Sequence, residues 1–172
     1  MALTLLLGGA RSGKSALALR RAARSGTPVV FLATAEARDA EMADRIARHR
    51  ADRPSAWQTV EAPLDVATPL RAAPGDAAVV VDCLSLWVSN LLEHERSDDD
   101  IVAAAEEAAR LAAARPGPTL AVSNEVGMGI VPVHELGRRY RDLLGRVNAT
   151  WAAAAAEAFL VVAGRQLRLE AA

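Results

Sequence analysis

Leu3-Thr4-Leu5-Leu6-Leu7 runs into Gly8-Gly9-Ala10-Arg11-Ser12-Gly13-Lys14-Ser15, and the reading of this stretch decides the fold. The apolar run Leu3 to Leu7 stops at two glycines, which reads as a short buried strand. The octet Gly8 to Ser15 fits the pattern G-x-x-x-x-G-K-[ST] of a phosphate-binding loop. Lys14 to Ser25 has helical composition and is closed by Gly26, a C-cap signal. Strand, glycine-rich turn and helix are the context that this motif needs. Glycines let backbone amides turn inward around phosphate oxygens, and the helix N-terminus points its partial positive charge at the same anion. Lys14 is expected to reach the β and γ phosphates, and the Ser15 hydroxyl to ligate Mg²⁺.

All of the basic residues except Lys14 are arginine. A single retained lysine marks a position that needs a compact, freely rotating ammonium rather than a planar fork. A phosphate loop also needs a second anchor for Mg²⁺. Asp82 ends the apolar run Ala78 to Asp82, which places a carboxylate at the carboxyl edge of the sheet, where open α/β sheets bind ligands.

Further along, continuous apolar runs alternate with helical segments. Strands are expected at Val29 to Ala33, Trp57 to Val60, Ala78 to Asp82, Thr119 to Ser123 and Phe159 to Ala163, with a short one after Gly164. Helices are expected at Asp39 to Arg50, Pro63 to Ala73, Leu84 to Leu92, Ile101 to Ala114 and Glu135 to Glu157. Glu93 to Asp100 reads as a charged surface loop. The last helix carries the stripe Leu136, Tyr140, Leu144, Val147, Trp151 at helical spacing. The pattern predicts an α/β fold of the P-loop NTPase (RecA-like) type. It is a mainly parallel sheet with helices on both faces, in a single catalytic domain over residues 1–172.

The chain has 172 residues, 52% hydrophobic, with a formal charge of −1. A near-neutral balance argues against a nucleic-acid partner, because phosphate-tracking proteins carry a basic excess. Cys83 is the only cysteine, so no internal disulfide forms. That fits a reducing compartment, and with no run of transmembrane length it gives the expectation of a cytoplasmic protein.

The guanine-reading motif N-K-x-D is impossible here, because no lysine follows Lys14. Other segments narrow the class. They are GGARSGKS (8–15), FLATAEA (31–37), EMADRIARHRADRP (41–54), TVEAPLD (59–65), VVDCLSLWVSNLL (80–92), SNEVGMGIVP (123–132) and RRYRDLLGRVN (138–148). In this order they resemble the bifunctional adenosylcobinamide kinase / adenosylcobinamide-phosphate guanylyltransferase family of cobalamin biosynthesis. The resemblance covers nearly the whole chain, and NEVGMGIVP is more specific than the phosphate loop.

That resemblance implies two reactions. ATP or GTP phosphorylates adenosylcobinamide. GTP then gives its GMP to the resulting phosphate through a GMP-histidine intermediate, leaving adenosylcobinamide-GDP and pyrophosphate. The matching histidine is His49. On residues alone His49 reads as an exposed histidine on a solvated basic face, and the resemblance makes it the nucleophile. Its neighbours Arg48 and Arg50 are placed to balance charge on phosphate oxygens. The resemblance also implies nucleotide contacts from Gly8, Gly9, Ala10, Arg11, Ser12, Gly13, Lys14 and Ser15, and from Ala33, Thr34 and Ala35. It adds Arg50, Ala51, Asp52, Arg53, Glu61 and Asp82. Lys14 and His49 are the catalytic pair, and Ser15 and Asp82 the metal pair.

It further implies a homotrimer, for which an exposed apolar stretch Leu84 to Leu92 and the long C-terminal helix are candidate interfaces. In some relatives the strand-end carboxylate is Glu, so Asp82 has a shorter reach. The loop Asn124 to Val131 follows a strand at the ligand edge. Its Asn124 and Glu125 are open to nucleotide, metal or corrinoid, or to a purely structural turn. His94 and His134 read as surface residues. Two other functions compete, a plain small-molecule kinase and a nucleotide-binding switch.

Overall fold

A computed structural model describes residues 3–51 and 53–171. The strands are β1 (Leu3–Gly8), β2 (Val29–Ala33), β3 (Gln58–Glu61), β4 (Ala78–Asp82), β5 (Thr119–Asn124), β6 (Glu157–Val162) and β7 (Arg165–Leu169). The helices are α1 (Lys14–Ala23), α2 (Ala40–Ala51), α3 (Ala67–Ala72), α4 (Leu84–Glu93), α5 (Asp98–Ala114) and α6 (Glu135–Ala154). The strands form one sheet in the order β3-β2-β4-β5-β1-β6-β7. Every pairing is parallel except the final β6–β7 hairpin.

Both faces of this sheet are covered, so its central strands are apolar throughout rather than alternating. Leu3, Leu5, Leu7, Val79 and Val81 point into a larger core beneath α3, α4, α5 and α6. Leu6, Val80 and Val122 point the other way, against Ala18 and Ala22 of α1. Trp87 and Trp151 are the two bulkiest fully buried side chains. Trp87 donates its indole N–H to the Leu64 carbonyl at 2.8 Å.

Several boundaries differ from the sequence expectation. Helix α5 begins at Asp98 rather than Ile101, so part of the charged run is helical. Ser97 caps it by accepting the Asp100 amide at 3.1 Å, and three aspartates fill the first turn. Acidic side chains there oppose the positive end of the helix. Helix α3 starts at Ala67, not Pro63, and Asp65 accepts the Thr68 amide at its start. Helix α6 ends at Ala154, and Glu157 opens β6 instead of closing the helix.

Leu136 is exposed, so the apolar stripe of α6 lies on Leu143, Leu144, Val147 and Trp151. The stretch Leu84 to Leu92 is not an exposed interface. Leu84, Trp87, Val88, Leu91 and Leu92 are buried in the core, because α4 lies between the sheet and α6.

Candidate functional site

The carboxyl ends of the parallel strands bring the sequence-selected residues to one edge. Gly8 of β1 is in register with Asn124 of β5, and Ala33 of β2 with Asp82 of β4. From Gly8 the chain curls into the phosphate loop. Gly13 takes φ +96° and Arg11 φ +55°. The Lys14 ammonium donates to the Gly9 carbonyl at 3.1 Å. A Cβ on Gly8 would collide with the Val161 carbonyl and lie 2.7 Å from the Ser12 hydroxyl oxygen. The loop is therefore seated directly on β6. Its outer flank is tied to the turn of the β6–β7 hairpin, where the Gly164 amide donates to the Ser12 carbonyl at 2.8 Å.

Across the loop, the Ser15 hydroxyl donates to Asp82 Oδ1 at 3.4 Å. A hydroxyl and a carboxylate converging at the end of a phosphate loop are hard oxygen donors, the set that suits Mg²⁺. Among the described residues no cluster of three or more His, Cys, Asp or Glu side chains forms a metal cage. A two-ligand site that leaves the remaining positions to water and phosphate fits Mg²⁺ better than it fits zinc. Burial pushes the Asp82 carboxyl up from its ordinary value. The charges of His49, Lys14 and Arg53 and the bond from Ser15 offset part of that rise.

Helix α2 closes the other side. His49, Met42 and Ile46 of α2 face Lys14, Ser15 and Asp82 across a cavity of about 150 Å³. Arg53 also lines it. Its guanidinium sits 3.6 Å over the centre of the Phe31 ring and donates to Thr59 Oγ1 at 3.3 Å. Burial lowers the Arg53 pKa, Asp82 opposes that, and Arg50 adds to it. An arginine stays charged through such shifts, so Arg53 delivers a fixed cation beside Asp82.

The remaining sequence-selected residues divide. Ala33 and Ala35 line the cavity. Thr34 is fully buried, and its side chain is engaged with Cys83: it donates to the Cys83 carbonyl at 2.7 Å and accepts its amide at 2.8 Å. It joins the ends of β2 and β4. Arg50, Ala51 and Glu61 are exposed, and none of them lines the cavity. Asp52 lies outside the described residues. Gly9, Ala10 and Arg11 form the exposed outer arc of the loop, while Ser12 is buried beneath it. His94 is exposed 3.7 Å from Glu36, and His134 is exposed at the start of α6.

Two supporting residues escaped the sequence reading. Asn90 is buried on α4 and donates to the carbonyls of Thr34 at 2.7 Å and Pro63 at 2.9 Å. It also accepts from Arg38 at 2.8 Å. It thereby fixes the path of the chain leaving β2. An amide inside an apolar run such as Leu84 to Leu92 was its available signal, because buried polar groups are there to bond. Arg115 is the second. Its guanidinium, itself buried, donates to the carbonyls of Leu70, Ala73, Pro74 and Ala77 at 2.8–3.1 Å.

A parallel sheet with this loop and strand-end carboxylate defines a P-loop nucleotide-binding protein of the NTPase fold. In solved structures the same fold appears in an ATPase from the type III secretion system of pathogenic bacteria, with a TM-score of 0.52 and 9% identity. The match covers 92% of this chain but only half of that ATPase. Residues 4–169 match the family described as cobinamide kinase / cobinamide phosphate guanyltransferase, and the chain belongs to that family of enzymes. The bifunctional adenosylcobalamin biosynthesis protein CobP of Pseudomonas aeruginosa is 46% identical over 170 residues, covering 96% of each chain. The corresponding protein CobU of Salmonella typhimurium is 39% identical, covering 96% of this chain and 98% of its own. No helix among the described residues is long and apolar enough to cross a membrane.

Proposed function

We propose that this chain, acting as one catalytic domain, phosphorylates adenosylcobinamide with ATP or GTP. It then transfers GMP from GTP to the adenosylcobinamide phosphate through a GMP adduct on His49. The observation that carries the reading is the shared cavity: His49 lies across it from Lys14, Ser15 and Asp82. A triphosphate gripped by the loop would share this cavity with the imidazole, which is what the attack on its α-phosphorus requires.

In the first reaction the backbone amides of Gly8 to Ser15 and the Lys14 ammonium hold the β and γ phosphates. The γ-phosphoryl group passes to the substrate hydroxyl, whose proton is released, and the nucleoside diphosphate leaves. In the second, a ring nitrogen of His49 attacks the α-phosphorus. The bond to pyrophosphate breaks, and Lys14 and the loop amides receive the leaving charge. An oxygen of the adenosylcobinamide phosphate then attacks the same phosphorus, and the nitrogen–phosphorus bond breaks to restore His49. Arg53 stands ready to neutralise charge on the α-phosphate. Mg²⁺, held by Ser15 and Asp82, supplies charge neutralisation on the phosphate chain when bound.

Labelled GTP separates the steps. With α-³²P-GTP, wild-type protein is expected to take an acid-labile covalent label that His49→Ala loses, while γ-³²P-GTP leaves none. His49→Ala keeps its kinase activity. Absence of α label on the wild-type protein while nucleotide still binds would replace this reading with a plain kinase. We also propose assembly as a homotrimer, which light scattering on the purified protein tests directly.

A further inference from the structure

The reading above makes a corrinoid one of the substrates, and a corrinoid does not fit the cavity just described. That cavity measures about 150 Å³, whereas pockets that enclose a drug-sized ligand run to roughly 300–1,000 Å³. With the nucleotide's phosphates also assigned to this cavity, the macrocycle is left to the protein surface beside its mouth.

The loop joining β5 to α6 leaves the cavity wall at Asn124. Its first step is tied to the phosphate loop, where the Glu125 amide donates to the Gly8 carbonyl at 3.2 Å. Beyond that point Val126, Met128, Ile130, Val131, Val133 and Leu136 all face solvent. Ile130 is 97% exposed, Val133 87% and Met128 76%. The other large exposed hydrophobics among the described residues, Val162, Leu167 and Leu169, lie on the β6–β7 hairpin, across β1 from Asp82.

Scattered exposed apolar residues are ordinary, but this run follows closely in sequence on Asn124, which lines the cavity, and such concentrations of exposed apolar side chains mark binding surfaces. Some of the loop's polar groups bond within it. The Gly127 amide donates to the Glu125 carboxylate at 2.6 Å, and Arg138 donates to the carbonyls of Pro132 at 3.2 Å and Val133 at 2.5 Å.

We propose that residues 126–136 seat the corrin macrocycle. Their apolar side chains cover the hydrocarbon face of the ring while the aminopropanol arm enters beside Asn124. The inference rests on the reading of this chain as an enzyme that acts on cobinamide. It assigns the substrate's bulk to a surface separate from the nucleotide site.

The test uses the full chain with Ile130→Asp/Val133→Asp, and the milder Ile130→Ser/Val133→Ser in case the first disturbs folding. Covalent α label from GTP alone needs no corrinoid and reports the nucleotide site. The KM for adenosylcobinamide in the kinase step reports the loop. The expected result is a KM raised about tenfold or more, from lost apolar burial. The α label is expected to stay within about twofold of wild type, and the oligomeric state by light scattering is expected to be unchanged. An unchanged KM overturns the inference. A change of oligomeric state accompanying the loss also overturns it, because the loop is then an interface between copies of this chain. Equal loss in both readouts for both variants overturns it as well, because the loop then supports the nucleotide site. Wild-type protein that never turns over adenosylcobinamide overturns the functional reading and takes this inference with it, whereas the variant outcomes overturn the inference alone.

Discussion

The phosphate loop and helix α2 face each other across one cavity and are held in opposite ways. The loop grows out of β1, whose residues are buried from end to end, and it is braced by β6 beneath and by Gly164 at its flank. Lys14 and Ser12 within it are themselves buried. Helix α2 has no fully buried side chain among those described. Met42 and Ile46 are half-buried against the cavity, and the rest, His49 included, are exposed. The half of the site that grips phosphate is thus set by the core, where adjusting it would cost packing energy. The half that carries His49 rests on a lightly packed helix, where change costs the fold little.

The largest expected effect is at the loop. Lys14→Ala is expected to lower both γ-phosphoryl transfer and His49 guanylylation by about 10²–10³-fold, through loss of a charge aimed at the phosphate chain. The two labelled GTP assays measure it. Undiminished guanylylation would mean that the two halves do not share one substrate.

Asp82→Asn is next. Turnover is expected to fall by about 10²-fold, while the nucleotide-free protein becomes more stable at neutral pH. The folded carboxyl holds its proton above the ordinary value of 3.8, so the folded state binds more protons than the unfolded chain there. Wild-type stability therefore declines as pH rises from about 3.8 through the folded-state value. The Asn variant lacks that decline, and its advantage shrinks on acidification. Thermal unfolding of both proteins across this range, without Mg²⁺ or nucleotide, reads it out.

Gly8→Ala sharpens the contrast in stability. The new Cβ would press on the Val161 carbonyl and the Ser12 side chain, and overpacking of that kind costs about 1–3 kcal/mol in denaturant unfolding. Ile46→Ala, on the half-buried face of α2, is expected to cost about 1 kcal/mol or less and yet to slow guanylylation measurably. A loss as large as that of Gly8→Ala would show that α2 belongs to the core after all.

Much of the loop's half was legible in the sequence, because its geometry is local. Gly8 to Ser15 is one short peptide, and the strands around it are unbroken apolar runs. Asp82 was legible because strand ends point to the ligand edge. The α2 half was not legible from local rules. His49 has an exposed basic neighbourhood in sequence and in space, and only the wider resemblance singled it out. Charge runs are usually solvated, which favours a loop at 98–100; with Ser97 ahead of them the aspartates instead form an N-cap and acidic first turn, which is a helix start signal. The placement of Leu84 to Leu92 in the core depends on α6 arriving from fifty residues away, which no local pattern encodes. The same holds for Arg115, whose carbonyl partners lie at 70–77.

The sheet order has a consequence for how the molecule is made. The first fifteen residues carry the phosphate-binding motif, yet β1 pairs only with β5 and β6, and the Ser12 carbonyl waits for the amide of Gly164. During synthesis the loop therefore leaves the ribosome well before the strands that complete it. A nascent chain stalled before residue 157 would carry every residue of the phosphate grip with one flank of β1 still bare. Such dependence on partners distant in sequence makes folding slow relative to a helical protein of the same length. Completion of the phosphate loop thus depends on distant segments rather than on the loop peptide itself.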